Sequence, residues 1–352
     1  MHELRTEGWR SVADAVIFRP VARRDEKEAS KRRQDRQKTC KGEAHMNDAT
    51  TTIKSDEEAL MSETQVAAGL RLRAGRVEDA ETLGSICYEA FKTIAHQHNF
   101  PPDFPSPEIA VGLIASLLTR DDIYSVVAEA DGRVVGSNFL WENGAIAGVG
   151  PITIDPAAQN AAVGRRLMED VLRRAQERNF AGVRLVQAAY HNRSLSLYTK
   201  LGFDAREPLS NLQGPAIEEQ IPGYAVRPAT EEDVDSCNEL SLKVHGHHRG
   251  PELLGAIKQG TAAVVEHAGR ISGYTTGVGF FGHTVGETNE DLKALIGAAP
   301  EFAGLGFLLP TRNGEVLRWC LERGLRIVQP LSLMSVGLYN EPRGAFMPSI
   351  LY

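Results

Sequence analysis

ITIDPAAQNAAVGRRL, residues 152–167, is the stretch that decides how this chain folds. A strand pattern runs up to a proline, and a helical pattern begins after a short loop of small side chains. Such a turn directs the free backbone N–H groups of the helix start outward, where they bind anions. Ala162 and Gly164 are small enough to let a phosphate approach the backbone, and Arg165 and Arg166 add positive charge. The residues alone leave two alternatives open, an ordinary strand–helix connection and a phosphate site.

The segments around this stretch alternate between strand and helix patterns. VRLVQAA, residues 183–189, is apolar almost throughout, as expected of a central strand that is covered on both faces. The helix predicted over 161–179 is amphipathic, because apolar residues recur at helical spacing; they are Val163, Leu167, Val171 and Ala175. The other predicted elements are strands at 70–74, 123–130, 133–142, 145–154 and near 203–213, and helices over 77–95, 107–119 and 193–201. The pattern predicts the α/β class, with a mixed, mostly antiparallel sheet flanked by helices.

Two sequence patterns occur twice in the same order. RAGRVEDAETL, residues 73–83, is echoed by RPATEEDVDSC, residues 227–237, and in both an arginine precedes acidic residues that open a helix. VVAEADGRVVG, residues 126–136, is echoed by AVVEHAGRISG, residues 263–273, and both have the pattern of a hairpin. The repetition indicates a duplicated domain. The predicted division is a first domain at 69–214, a linker at 215–223 and a second domain at 224–352.

Composition limits the partners that this chain can have. A net charge of −7 over 352 residues provides no positive field for nucleic acid, and no apolar run approaches the ~20 residues that span a bilayer. The four cysteines lie far apart without a CxxC pair, which favours free thiols in the cytoplasm and argues against a zinc site. We therefore predict a cytoplasmic protein with no metal, no nucleic-acid partner and no membrane. Residues 1–68 mix both charge signs with few aliphatic residues, which predicts a disordered extension.

A second polar cluster follows the apolar strand, in AAYHNRSLSLYTKLGF, residues 188–203. Asn192 and Tyr198 lie six residues apart, so a short helix between them turns both toward one cleft. A phenol beside a leaving thiolate is a suitable general acid, because its unperturbed pKa of ~10 is close to the ~8.5 of a thiol. The alternative is a packed tyrosine whose hydroxyl donates to a backbone carbonyl.

Together the two stretches resemble the GNAT superfamily of acyl-CoA-dependent N-acyltransferases. The superfamily's phosphate loop, V-x-P-x-x-(Gln/Arg)-x-x-Gly-x-(Gly/Ala), is matched by Ile154, Pro156, Gln159, Ala162 and Gly164, with Ala162 in place of the first glycine. Its second motif, Asn-x-x-(Ser/Ala)-x-x-Leu-Tyr-x-Lys-x-Gly-Phe, is matched by Asn192, Leu197, Tyr198, Lys200, Gly202 and Phe203. Leu195 occupies the position where the motif has a small residue. The resemblance covers about residues 70–214.

The resemblance implies an N-acetyltransferase that uses acetyl-CoA as a cosubstrate. The loop amides would hold the CoA pyrophosphate, the strand at 145–154 would pair with the pantetheine arm, and Tyr198 would protonate the departing thiolate. An N–H near Ile152 would polarise the thioester carbonyl. The implied acetyl-CoA ligands are Ile152, Thr153, Ile154, Gln159, Asn160, Ala161, Ala162, Val163, Gly164, Arg165, Asn192, Tyr198 and Lys200.

The acceptor side is less marked in the sequence. For the general base we prefer Glu142, because it ends a strand beside the expected cleft; the other candidates are His96, His98, Asp155 and His191. The loop AHQHNFPPDFP, residues 95–105, is expected to shape the acceptor pocket with aromatic rings and prolines. The expected partner is a small-molecule or peptide amine, and homodimerisation stays open.

The second half keeps the fold pattern and loses the chemical motifs. Around Pro310, Arg312 and Gly314 it has a shorter loop, and no Asn…Tyr-x-Lys-x-Gly-Phe motif follows. It is therefore expected to be a degenerate GNAT-like domain, with Arg312 as a remaining candidate anion contact. A different class of function, a non-catalytic acyl-CoA-binding regulatory protein, is the alternative for the whole chain.

Overall fold

A computed structural model describes residues 69–159 and 162–351. The predicted extension at 1–68 and the predicted ligands Asn160 and Ala161 lie outside these residues. The strands are β1 (Leu70–Ala74), β2 (Ile123–Ala130), β3 (Arg133–Trp141), β4 (Ile146–Val149), β5 (Thr153–Ile154), β6 (Gly182–Ala188), β7 (Asp204–Gln213), β8 (Tyr224–Pro228), β9 (Ala263–His267), β10 (Arg270–Thr275), β11 (Thr284–Gly286), β12 (Phe307–Pro310), β13 (Arg326–Gly337) and β14 (Ala345–Met347). The helices are α1 (Ala80–Gln97), α2 (Pro107–Leu118), α3 (Val163–Glu177), α4 (Asn192–Lys200), α5 (Val234–His245), α6 (Gly250–Gln259), α7 (Asn289–Ala298) and α8 (Gly314–Glu322).

Two sheets carry the fold. The larger has the strand order β1-β2-β3-β4-β6-β13-β7-β12, with β5 paired to β3, and the smaller has the order β14-β11-β10-β9-β8. Every named pair is antiparallel except β4 with β6. The predicted α/β class with a mixed, mostly antiparallel sheet is confirmed.

Helices cover both faces of the larger sheet because side chains alternate along its strands. Val126 packs with Leu167 of α3 in one cluster, whereas its neighbour Val127 packs with Leu83 of α1 and Ile114 of α2 in another. The four apolar positions predicted for α3 are all buried. Periodicity in the sequence therefore identified the face that α3 buries.

The larger sheet takes in strands from both halves of the chain. β13 lies between β6 and β7, with Leu331 opposite Ala188 on one side and opposite Leu209 on the other. Leu209 and Leu331 pack with Phe280 and Leu305 in a core cluster that joins the two halves. The division at 215–223 stays a prediction, and the sheet is continuous across it.

The repeated sequence patterns form the same contacts twice. Arg73 binds Asp79, and Arg227 binds Asp233, each with a shortest N–O distance of 2.7 Å. Both arginines also bind a glutamate of the hairpin that follows in the chain. The acidic residues lie in a short 3-10 turn just before α1 and α5, one turn earlier than the sequence pattern indicates.

The predicted strand at 145–154 is interrupted in the structure. Gly150 has a φ of 134°, and Pro151 has no N–H to donate to a neighbouring strand, so the pairing stops after β4. β4 pairs with β6 over three residues, whereas β5 pairs with β3 alone. A wedge therefore opens between the β4–β5 segment and the carboxyl end of β6.

Candidate active site

The wedge leads into a cavity of about 810 Å³. Its walls come from the β4–β5 segment, the start of α3, the end of β6, α4, the loop before α2, and several residues of the second half. A cavity of this size, walled by apolar side chains with a few polar groups, is typical of small-molecule sites. The residues predicted to bind acetyl-CoA are therefore expected to line it.

Most of the residues predicted to bind acetyl-CoA line this one cavity. They are Ile152, Ile154, Gln159, Ala162, Val163, Gly164, Arg165, Asn192, Tyr198 and Lys200. Thr153 is not among the lining residues, because it is 3% exposed and pairs with Ser137 inside the sheet. Residues 38 positions apart in the chain, Ile154 and Asn192, are thus brought together by the pairing of β4 with β6.

The start of α3 is built to receive negative charge. Six of the eight described helices carry an acidic residue in their first turn, whereas α3 has none there and no side chain caps it. Arg165 and Arg166 lie in this first turn, where the helix dipole disfavours positive charge. Ala162, at the N-cap, has a left-handed φ of 58°. An anion bound to the N–H groups would compensate for the missing acidic residue and for the unfavourable position of the two arginines.

Tyr198 of α4 is buried with its ring in the cavity wall. It is 6% exposed and belongs to the core cluster that also holds Val163 and Leu167 of α3. Burial raises the pKa of Tyr198, so that its phenol stays protonated at neutral pH.

Gln187 of β6 places one unpartnered polar atom in the cavity wall. Its Oε1 accepts a hydrogen bond of 2.9 Å from Ser194, while its buried Nε2 has no acceptor among the described residues. Buried donors are satisfied in nearly all proteins. A ligand carbonyl in the wedge would complete this one.

The structure does not bring Glu142 to the cavity. Its carboxylate accepts hydrogen bonds of 2.7 Å and 3.0 Å from Arg174, and Arg178 lies 3.7 Å away. Its side chain is 8% exposed and points to the carboxyl-terminal half of α3. The expectation that Glu142 borders the acceptor side is therefore not met, because the end of β3 faces the helix rather than the wedge.

The other base candidates are also tied to local structure. Asp155 accepts the N–H of Ala157 at 2.9 Å, and His98 contacts the carbonyl of Ile94 at 3.0 Å. His96 is exposed on α1, away from the cavity wall. His191 does line the cavity, but burial, followed by Arg193 and His98, lowers its pKa to about 4.

A carboxylate that the sequence analysis did not single out lies in the wall. Asp103 belongs to the 95–105 loop, and burial raises its pKa to about 6. Gln329 of β13 donates to Asp103 over 3.3 Å, and the hydroxyl of Tyr190 donates to Gln329 over 3.4 Å. In the sequence, Asp103 could have been found because it belongs to the loop that was expected to shape the acceptor pocket. No local signal marks Gln329, because only the position of β13 brings it to the site.

The start of α8 in the second half differs from the start of α3, because it has a side-chain cap and an acidic residue in its first turn. The side chain of Asn313 accepts the N–H of Val316 at the start of α8, and Glu315 adds negative charge to the same turn. Arg312 is bound by Glu207 over 2.7 Å. The N–H of Val316 and the side chain of Arg312 thus have partners within the protein.

The described part of the chain has neither a metal-binding cluster nor a membrane-spanning helix. There, no three His, Cys, Asp or Glu side chains are grouped as they would be around a metal ion. No helix among residues 69–159 and 162–351 has the length and apolar character needed to cross a membrane.

Known proteins show the same fold. The sequence profile of the acetyltransferase (GNAT) family matches residues 89–203. A protein from Pyrococcus horikoshii, named as a candidate acetyltransferase, superposes with a TM-score of 0.61 at 17% identity, over 79% of this chain and 94% of that chain. A GCN5-related N-acetyltransferase from Sphaerobacter thermophilus superposes with a TM-score of 0.52 at 15% identity, over 77% of this chain and 96% of that chain. No curated protein gives a significant match. Residues 89–203, which match the family profile, carry motifs that line the cavity, so this part of the chain is similar to the GNAT family of acetyltransferases.

Proposed function

We propose that the protein transfers the acetyl group of acetyl-CoA to a primary amine by direct attack of the amine. The observation that carries the proposal is that the uncapped, basic start of α3 and the buried phenol of Tyr198 face the same cavity. The first group suits a pyrophosphate and the second suits a leaving thiolate. Cytoplasmic location and a homodimer remain predictions.

The residues of the cavity fit acetyl-CoA. The N–H groups of Val163, Gly164 and Arg165 have no acceptor earlier in α3, since the helix begins there. The wedge beside β6 suits the extended pantetheine arm, whose amides would pair with free strand edges and with Gln187. Gln159, Asn192 and Lys200 add polar contacts in the wall, which we assign to the same ligand.

The chemistry needs no covalent enzyme intermediate. The amine lone pair forms a C–N bond to the acetyl carbonyl carbon, and the C–S bond breaks with its electron pair going to sulfur. Tyr198 gives its proton to the sulfur, and the amide nitrogen returns a proton to the phenolate. Desolvation of Tyr198 keeps the proton in place until the thiolate forms, because it disfavours the phenolate in the resting enzyme.

Calorimetric titration of acetyl-CoA tests the donor site with a matched pair of variants. Arg165→Glu and Arg166→Glu reverse neighbouring charges in one helix turn, but only Arg165 lines the cavity. We expect one site per chain, about tenfold weaker or more in Arg165→Glu and nearly unchanged in Arg166→Glu. Equal effects of the two variants would contradict the loop assignment, and two sites would contradict a silent second half.

Turnover separates an enzyme from an acyl-CoA-binding regulator. An acetyltransferase releases CoA thiol only when an acceptor amine is added, whereas a regulator binds acetyl-CoA and releases none. Tyr198→Phe keeps the ring and removes the proton, so its effect on thiol release, at unchanged acetyl-CoA affinity, reports on the chemical step.

A further inference from the structure

The end of the cavity away from α3 is apolar and aromatic. Its walls include Phe91, Phe104, Leu113, Phe280, Phe281 and Leu331. Phe280, Phe281 and Leu331 belong to the second half, so both halves of the chain shape this end. Such walls favour a ligand body with little polarity, because polar groups placed there would lose their hydration without new partners.

Asp103 is the one carboxylate among the described residues that line the cavity. The basic lining residues Arg165, Arg193 and Lys200 belong to α3 and α4, where the donor site lies. A polycationic acceptor requires several acidic groups, and this wall offers a single one. The wall is therefore complementary to a ligand with a single ammonium group.

No cation of the described protein neutralises Asp103. Its neighbours are the amide of Gln329, which donates to it, and the titratable groups Tyr190 and Cys87, whose pKa values it helps to raise. Both of these groups are neutral at neutral pH. The ring of Tyr190 is held by stacking on Phe100, with centroids 4.2 Å apart. Asp103 is thus a positioned carboxylate in an apolar wall with an unmet preference for a cation.

We infer that the acceptor is a monoamine on an apolar, aromatic-sized body, and that Asp103 binds its ammonium group and removes the proton that blocks attack. The inference rests on the proposed acetyl transfer. Asp103 takes one proton from the ammonium, the freed lone pair attacks the thioester as described above, and Asp103 then releases its proton to solvent. The sum is ammonium plus thioester giving amide, thiol and one proton.

Binding of amines without acetyl-CoA tests the inference independently of turnover. The probes are 2-phenylethylamine, its neutral analogue 2-phenylethanol and the polycation spermidine, titrated calorimetrically at pH 7.5 and pH 5. We expect 2-phenylethylamine to bind more tightly than either comparison ligand. Its affinity should fall about tenfold at pH 5, because Asp103 titrates near pH 6 while the amine stays charged.

Two variants with the same chemical change give the control. Asp103→Asn keeps an acceptor for Gln329 and removes the charge. It should weaken the binding of 2-phenylethylamine at least tenfold, while the affinity for acetyl-CoA is retained. Asp131→Asn changes an exposed turn residue and should leave both affinities unchanged. Tighter binding of spermidine, or an unchanged affinity in Asp103→Asn, would overturn the inference. If the wild-type protein does not bind acetyl-CoA, that result would instead refute the proposed function.

Discussion

Replacing Asp103 by asparagine should stabilise the fold at neutral pH, although it removes a carboxylate that we propose binds the substrate. The carboxyl has a pKa of 3.8 in an unperturbed chain and about 6 in the fold, because burial disfavours its charged form. The folded protein therefore binds this proton more tightly than the unfolded chain does. Stability is lost as the pH rises from about 4 to about 6, and above that range the loss is constant.

The size of the effect follows from the two pKa values. Between 3.8 and about 6 the difference corresponds to about 3 kcal/mol, at about 1.4 kcal/mol for each pKa unit. The hydrogen bond from Gln329 is retained in the variant, since an asparagine oxygen also accepts. The gain is therefore due to the charge alone. Most of it should be lost by about pH 4, and it should vanish only well below the unfolded pKa of 3.8, where both states of the wild-type carboxyl are protonated.

Urea unfolding of the wild-type protein and of Asp103→Asn at pH 7.5 and pH 4 measures this difference. We expect the variant to be about 1–3 kcal/mol more stable at pH 7.5 and to keep at most about 0.5 kcal/mol of that gain at pH 4. Asp131→Asn, at an exposed turn, serves as the control and should show no pH-dependent gain. A variant that is equally or less stable at pH 7.5, or a gain that is the same at both pH values, would refute the argument from burial.

Three further predictions concern the proposed donor site and the ion pair between Glu142 and Arg174, which lies away from the cavity. Tyr198→Phe should lower kcat by about 10²-fold or more with acetyl-CoA affinity preserved, and an unchanged kcat in steady-state kinetics would assign the acid to another group. Ala162→Gly should raise the free energy of unfolding by about 1 kcal/mol, because glycine adopts the φ of 58° without strain; a loss of stability in urea would contradict this reasoning. Glu142→Gln should lower stability by about 1–3 kcal/mol, because Arg174 and Arg178 lose their carboxylate. A large loss of kcat in Glu142→Gln at preserved stability would restore Glu142 as the base.

Local patterns in the sequence predicted the helices, the strands and the residues of the proposed donor site. The four-residue spacing of apolar side chains identified the buried face of α3, and the two motifs identified residues that meet in one cavity. These features depend on neighbours within a few turns or on a loop that joins two predicted elements. Periodicity and short motifs therefore carry enough information to place them.

Tertiary structure alone decided which groups line the proposed acceptor side. Glu142 and Asp103 are both acids near predicted pocket elements, and nothing local distinguishes a carboxylate held by Arg174 from one left in an apolar wall. Gln329 reaches the site because β13 inserts between β6 and β7, a pairing between strands more than a hundred residues apart. Which strand becomes the neighbour of another, and how much water a charge keeps, depend on the whole packed fold. Those two properties determine the chemistry of this end of the cavity.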